Sequence, residues 1–378
     1  MAKIVLINAP PNDNKEFIKD AVKFDEKFPI GLCYMDAYIE SRSHTSILID
    51  AYAKGMNSEE IAKEVERVNP DIVGITMLNP IEEEVALIME KIKRANPKII
   101  TFVGGMQPSL DPKGVLKNHP YIDLAVYGEG ELTVVEILDK IDQEKKFNDV
   151  KSIVYRDSGD IIKNDARERI QNLDILPFPS YYKLDLDKYW SDGKIICMVT
   201  SRGCPHQCIF CASGVLWQHK TTFRSVENVV AEIKHWKSKY DVNFFYFNDM
   251  TFTLNKDRIK KFCTMLKEED IKITWKCLTR LDNLDKETID LMHESGCRII
   301  AVGVESGNKE IQLKIKKFLD LEKIKEVVKY ITDKDIELVG LFIIGFPQEE
   351  PKHILDTLNY IIKLRNYGMQ HFDLFQAT

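Results

Sequence analysis

Residues 201–211 read Ser201-Arg202-Gly203-Cys204-Pro205-His206-Gln207-Cys208-Ile209-Phe210-Cys211. Three thiols fall within eight positions, directly after an apolar run at Ile195–Ser201 that has strand character. Thiolates at this spacing on one loop suit one corner of a cuboidal 4Fe–4S cluster, which normally takes four cysteines, one per iron. With three, one iron keeps an open position where a small molecule carrying an amine and a carboxylate can chelate. A zinc site is the competing reading, with His206 or His219 as the fourth ligand. His206 stands between two of the cysteines and is poorly placed to fold back onto the same ion. Three unrelated buried cysteines are a third reading, against which the tight spacing speaks.

C-terminal to the motif, strand-like and helix-like runs alternate. Strands are expected at Ile195–Ser201, Asn243–Phe247, Thr274–Leu278, Ile299–Val304, Leu338–Ile344 and His371–Gln376. Helices are expected at Val226–Tyr240, Lys256–Glu268, Lys286–Ser295, Asn308–Ile315, Leu321–Thr332 and Lys352–Arg365. Six strand–helix units over 191–378 predict a partial (β/α)6 barrel. Catalytic groups in such barrels sit at the carboxyl ends of the strands, where the cysteine loop falls. The lysine-rich run Lys314–Lys317 is expected to be a solvated face.

The N-terminal part, 1–145, alternates in the same way. Strands are expected at Lys3–Asn8, Thr45–Asp50, Ile72–Thr76, Ile99–Val103 and Leu124–Tyr127. Helices fit Gly31–Arg42, Ser58–Val68 with Ser58 as its N-cap, Glu82–Ala95, and Glu131 to about Ile141. This order predicts an α/β, doubly wound (Rossmann-like) parallel sheet, whose ligands lie beyond the carboxyl ends of the strands. Gly104-Gly105 and Gly128-Glu129-Gly130 fall at those ends. Residues 146–190 break the rhythm with Pro177-Phe178-Pro179 and read as a small hairpin and a linker.

A chain of 378 residues has room for two or three domains. Its 44% hydrophobic and 30% charged content is that of an ordinary globular protein. A net charge of -6 argues against nucleic acid as a general partner. No apolar run has the length of a membrane span, and Met1–Ile7 lacks the layout of a secretory signal, so a cytoplasmic location is expected. Contact with a membrane surface stays open. Cys33, Cys197, Cys263, Cys277 and Cys297 are scattered and are expected to be reduced, buried apolar side chains.

The spacing C-x-x-x-C-x-x-C after a first barrel strand resembles the signature of radical S-adenosylmethionine enzymes. Phe247-Asn248-Asp249 resembles the family segment that holds the methionine amino group. Thr279-Arg280-Leu281-Asp282 ends the third strand, and Val304-Glu305-Ser306-Gly307 resembles the motif that meets the ribose or the carboxylate. Ile344-Gly345-Phe346-Pro347 resembles the turn that lies on the adenine. The resemblance implies that Cys204, Cys208 and Cys211 hold the cluster and that Asn248, Asp249, Arg280, Glu305, Ser306, Gly345 and Phe346 surround S-adenosylmethionine. Reductive cleavage of that molecule would yield a 5′-deoxyadenosyl radical able to take hydrogen from an unreactive carbon.

The N-terminal half resembles the cobalamin-binding domain that precedes the barrel in one subclass of that family. The matching pieces are Asn8-Ala9-Pro10-Pro11, Phe28-Pro29-Ile30-Gly31-Leu32, Gly74-Ile75-Thr76, Val103-Gly104-Gly105-Met106-Gln107-Pro108 and Tyr127-Gly128-Glu129-Gly130-Glu131. By that resemblance Pro10, Thr76, Gly104, Gly105, Gln107, Gly128 and Glu129 would line cobalamin; a degenerate sheet that only shapes the substrate channel is the alternative. D-x-H-x-x-G, which supplies a cobalt-ligating histidine elsewhere, is absent; the position reads Asn8-Ala9-Pro10-Pro11-Asn12-Asp13, expected to cover the lower face without coordinating. The upper face is expected to look toward the barrel mouth. The implied activity is methylation of an unactivated carbon using methylcobalamin, with radical cyclisation or rearrangement as the alternative. A non-catalytic iron–sulfur or zinc protein is the alternative from another class. Implied partners are a small-molecule, lipid or peptide substrate and a one-electron reductant of flavodoxin or ferredoxin type. The chain stops on the last barrel strand, where family members usually continue, so a short form or a missing C-terminal domain is expected.

Overall fold

Unbroken burial along the first strand sets the plan of the N-terminal unit. Ile4 and Leu6 pack into one apolar cluster and Val5 and Ile7 into another, so the strand is covered on both faces. Such two-sided burial is the mark of a parallel sheet with helices on each side. The computed structural model describes residues 1–10, 28–190 and 193–377. Pro11, Asn12 and Asp13, part of the loop expected under cobalamin, lie outside the described residues.

Chain contacts divide the protein into two units, Met1–Asp192 and Gly193–Thr378. The first holds strands β1 (Lys3–Asn8), β2 (Thr45–Asp50), β3 (Ile72–Thr76), β4 (Ile100–Gly104), β5 (Leu124–Val126), β6 (Ile153–Asp157) and β7 (Asp160–Lys163). They form one sheet in the order β2-β1-β3-β4-β5-β6-β7. The first five are parallel, and β6 and β7 add an antiparallel hairpin at the edge. The hairpin expected in 146–190 is thus an extension of the first sheet.

The segment after it packs back on helix Ile30–Ser41: Ser180 donates its N–H and hydroxyl to the Cys33 carbonyl at 3.1 and 3.2 Å. Lys183 reaches Asp36 at 2.8 Å and Glu40 at 2.6 Å. Helix Ser58–Val68 is capped by Asn57, one residue before the expected Ser58. The Asn57 side chain accepts from the N–H of Glu59 and Glu60 while Glu60 bonds back, closing a capping box.

The second unit holds β8 (Ile195–Met198), β9 (Ser201–Arg202), β10 (Thr222–Phe223), β11 (Phe244–Phe247), β12 (Thr274–Thr279), β13 (Cys297–Glu305), β14 (Glu337–Ile344) and β15 (His371–Gln376). Six of them form a wholly parallel sheet in the order β15-β14-β13-β12-β11-β8, the plan of a partial barrel. Ser225, Asn255, Asp285 and Asn308 each cap the helix that follows, so every one of these helices starts abruptly after its strand-end loop. Phe247, Phe252, Phe262 and Trp275 stack edge and face behind β11 and β12. Among the described residues no helix is long and apolar enough to cross a membrane.

Candidate functional site

The apolar run expected as one strand to Ser201 is broken. β8 stops at Met198, and Ser201–Arg202 turns away to pair antiparallel with Thr222–Phe223. That two-residue ladder closes a loop containing all three clustered cysteines. Gly203 begins it at φ +93, and a Cβ there would lie 2.1 Å from the Lys220 carbonyl oxygen. Ile209 N–H donates to the Ile315 carbonyl at 3.1 Å, and the Phe210 ring lies 5.7 Å from that of Phe346. The loop is therefore tied to the end of helix Lys309–Lys314, which follows the fourth barrel strand, and to the turn after the fifth.

Cys204 and Cys208 are half-buried and Cys211 is exposed, and none is in a disulfide. The Thr251 hydroxyl lies 3.6 Å from the Cys204 sulfur, and Arg280 Nη1 donates to the Cys208 sulfur at 3.8 Å. Burial raises the Cys208 thiol, against the opposing pull of Lys317 and Arg280. His206, on the same loop, has a buried Nε2 without a hydrogen-bond partner among the described residues. Three partly exposed thiols on one loop, with Lys317 and Arg280 near Cys208, have the chemistry an anionic cluster needs, although among the described residues no three such side chains are gathered closely enough to hold a metal ion. The other five cysteines are buried. Burial raises the thiols of Cys33, Cys197 and Cys297, and takes Cys263 up to about 11, which makes them poor ligands.

Strand ends deliver the remaining expected residues, with varied results. Asp249 is buried and fully engaged: it accepts from Thr200 N–H and hydroxyl and from the Ser201 hydroxyl at 2.5–2.6 Å. It holds the entry to the cysteine loop, whereas its neighbour Asn248 is exposed. Arg280 is buried and its guanidinium is forked on Asp282. Burial works against its charge, but the bond to Asp282 and the carboxylate's charge carry its pKa above the ordinary value. Glu305 sits at φ +69 and pairs with Lys317 at 2.9 Å, both side chains buried. Lys317 was expected on a solvated face; it turns inward because Glu305, twelve residues back, needs a counter-charge in a buried position.

Ser306 faces away from this group, its hydroxyl 3.1 Å from that of Thr357 on helix Pro351–Asn366. Gly345, at φ +87, and Phe346 both donate their N–H to Glu349 Oε2, at 2.6 and 3.3 Å. Glu349 was not foreseen. Its Oε1 is buried and has no partner among the described residues.

In the first unit, Thr76, Gly104, Gly105 and Gly128 lie at the carboxyl ends of β3, β4 and β5. Gly105 has φ +98, and a Cβ on it would stand 2.9 Å from Thr76 Cγ2. Ser109, also unforeseen, links two of these turns: its hydroxyl donates to the Gly105 carbonyl at 2.6 Å and accepts from Gly128 N–H at 3.0 Å. Gln107 N–H donates to the Met77 carbonyl, Glu129 accepts from Ile170 N–H at 2.8 Å, and Pro10 is half-buried. His44 and His119, the two histidines of this unit's sequence, are engaged with Asp139 and Glu82. Backbone left bare by glycine at the strand ends suits a bulky ligand.

Comparison with known proteins agrees with this arrangement. Residues 198–361 match the model of the radical SAM superfamily and residues 19–138 that of the B12 binding domain. An uncharacterised methyltransferase of Pyrococcus horikoshii is 32% identical over 337 residues, covering 89% of this chain and 73% of the relative. An anaerobic magnesium-protoporphyrin IX monomethyl ester cyclase of Rubrivivax gelatinosus is 26% identical, covering 87% of this chain and 61% of the relative. The structure of TsrM, a radical S-adenosylmethionine methyltransferase from Kitasatospora setae with cobalamin and a [4Fe-4S] cluster bound, superposes with a TM-score of 0.82 at 17% identity. That match covers 99% of this chain and 75% of the other. The chain belongs to the family of radical S-adenosylmethionine enzymes that carry an N-terminal cobalamin-binding domain.

Proposed function

We propose that this enzyme transfers a methyl group to an unactivated carbon of a small-molecule, lipid or peptide substrate. The observation that carries the reading is the 32% identity, over most of both chains, to a relative named as a methyltransferase. When bound, the cluster supplies the electron that cleaves S-adenosylmethionine and the corrinoid supplies the methyl group.

The chain's own residues prepare the place. Asp249 fixes the loop from which Cys204, Cys208 and Cys211 would hold the cluster. Glu305, Lys317 and Arg280 would set the charge around the methionine end of S-adenosylmethionine, and the Gly345–Phe346 turn, braced by Glu349, would take its adenine. In the first unit, Thr76, Gly104, Gly105, Gln107, Gly128 and Glu129 would border cobalamin, with neither histidine free for cobalt. Electrons would come from a flavodoxin- or ferredoxin-type donor in the cytoplasm.

The second reading, radical cyclisation without net methyl transfer, is favoured by the cyclase relative at 26% identity. Product analysis separates the two. Anaerobically reconstituted protein given cobalamin, a one-electron reductant and S-adenosylmethionine should release S-adenosylhomocysteine as well as 5′-deoxyadenosine. Release of 5′-deoxyadenosine alone would move the assignment to the cyclase class. Cys204→Ala, Cys208→Ala and Cys211→Ala should each abolish 5′-deoxyadenosine formation, and an unaffected variant would remove that cysteine from the ligand set.

A further inference from the structure

Arg280 directly follows β12 and is 6% exposed. Nε and Nη2 donate to the two oxygens of Asp282 at 2.9 and 2.6 Å, and Nη2 also donates to the Lys317 carbonyl at 2.8 Å. Engaged on two sides, the planar fork has little freedom left. Its remaining arm, Nη1, donates to the Cys208 sulfur at 3.8 Å. The guanidinium is committed to a thiol and a neighbouring carboxylate before any ligand arrives.

We propose that Arg280 raises the reduction potential of the cluster by donating a charged hydrogen bond to the Cys208 thiolate, a role that rests on the three thiols holding that cluster. Reduction adds one electron from an external one-electron donor and neither forms nor breaks a bond. The reduced cluster is more negative by one charge, so a fixed cation beside a ligating sulfur favours it. Hydrogen bonds to sulfur and local net charge are established determinants of cluster potential.

Two facts decide that Arg280 acts with net positive sign. Its side chain is 7% exposed while that of Asp282 is 37% exposed, so water screens the carboxylate more than the guanidinium. Lys317 and Glu305, the nearby pair, are buried alike at 7% and 9%, so their charges largely offset. An arginine that cannot lose its proton gives this bias at any working pH.

The test is a spin-resonance-monitored redox titration of the anaerobically reconstituted protein, both units present, with iron counted on the same sample. Arg280→Gln should keep about four irons per chain. It should make one-electron reduction about tenfold less favourable, a midpoint lower by about 59 mV. Arg280→Lys, which keeps the charge, should recover most of that shift. A fully loaded Arg280→Gln protein with the parent midpoint overturns the proposal. Where Arg280→Gln fails to retain iron, Asp282→Asn decides. It strips the counter-charge and should move the midpoint upward, and an unchanged or lower midpoint overturns the proposal. Wild-type protein that binds no cluster would refute the ligand reading beneath it, a result the iron count distinguishes.

Discussion

The Asp249 carboxylate takes both the backbone N–H and the hydroxyl of Thr200, at 2.6 and 2.5 Å. It lies at the end of β11, and Thr200 lies between β8 and the cysteine loop, so one buried carboxylate joins two strand ends. Asp249→Ala would leave the Thr200 N–H without its acceptor, at a cost of about 1–3 kcal/mol for a buried group. Urea unfolding of apoprotein should show that loss. Iron retention after gel filtration should fall with it, since the loop entry is no longer held. Unchanged stability and full iron content would show that the latch is dispensable.

Gly203→Ala tests the start of the same loop. The φ of +93 and a Cβ placed 2.1 Å from the Lys220 carbonyl leave no room for a side chain without moving the ladder of Ser201–Arg202 on Thr222–Phe223. Backbone strain of this kind costs on the order of 1–3 kcal/mol. The variant should lose brown colour and iron before it loses secondary structure. Circular dichroism and iron analysis on one sample would show whether the two separate.

Asp285 gives a pH dependence with a definite sign. It caps helix Lys286–Glu294 through Thr288 N–H and pairs with Lys256. The bond from Lys256, helped by the one from Thr288, holds its pKa down at about 2. A carboxyl depressed in the fold stabilises above its unfolded value, about 3.9, and that contribution is lost as pH falls toward 2. Its side chain is 47% exposed, so charge is screened and the cap geometry carries most of the effect. Asp285→Ala should cost about 1 kcal/mol at neutral pH. The difference from wild type should shrink below about pH 4, as thermal melts across that range would reveal. A gap that widens with acid would contradict the assignment.

Local pattern explains which parts of this fold could be read from sequence. Helices Val226–Tyr240 and Lys256–Glu268 fall where expected because Ser225 and Asn255 mark their starts and apolar residues recur at helical spacing. The grouping of Cys204, Cys208 and Cys211 on one loop was legible because three thiols within eight positions are a local signal. The break at Met198 was not, since the partner of Ser201–Arg202 lies some twenty residues on and a two-residue ladder has no periodicity. Lys317 was misread because a lysine within a run of lysines looks solvated. Its burial is decided by Glu305, held at φ +69 where no period applies. Asp249 was singled out as a residue beside S-adenosylmethionine; in the fold its three bonds run to Thr200 and Ser201, partners that only the folded sheet brings near.

Glu349 offers the last test, on the turn expected to carry adenine. Oε2 accepts the N–H of Gly345 and of Phe346, at 2.6 and 3.3 Å, so one carboxylate oxygen fixes two successive peptide groups. Phe346 is buried with Ile311 and Ile315 and its ring meets Phe210 of the cysteine loop, so the turn and the loop share one support. A backbone surface that binds a flat ring has to be rigid before the ligand arrives, because ordering it on binding costs affinity. Glu349→Ala frees both N–H groups and lets Gly345, at φ +87, relax. Affinity for S-adenosylmethionine should then fall about tenfold, equivalent to about 1.4 kcal/mol. Iron content should stay at the parent level, since no thiol is touched. Glu349→Gln keeps an acceptor oxygen and should lie between the two. Anaerobic equilibrium dialysis with labelled S-adenosylmethionine measures the affinity directly. Equal affinity in Glu349→Ala and wild type would mean that the turn holds its shape without the carboxylate or does not touch the ligand.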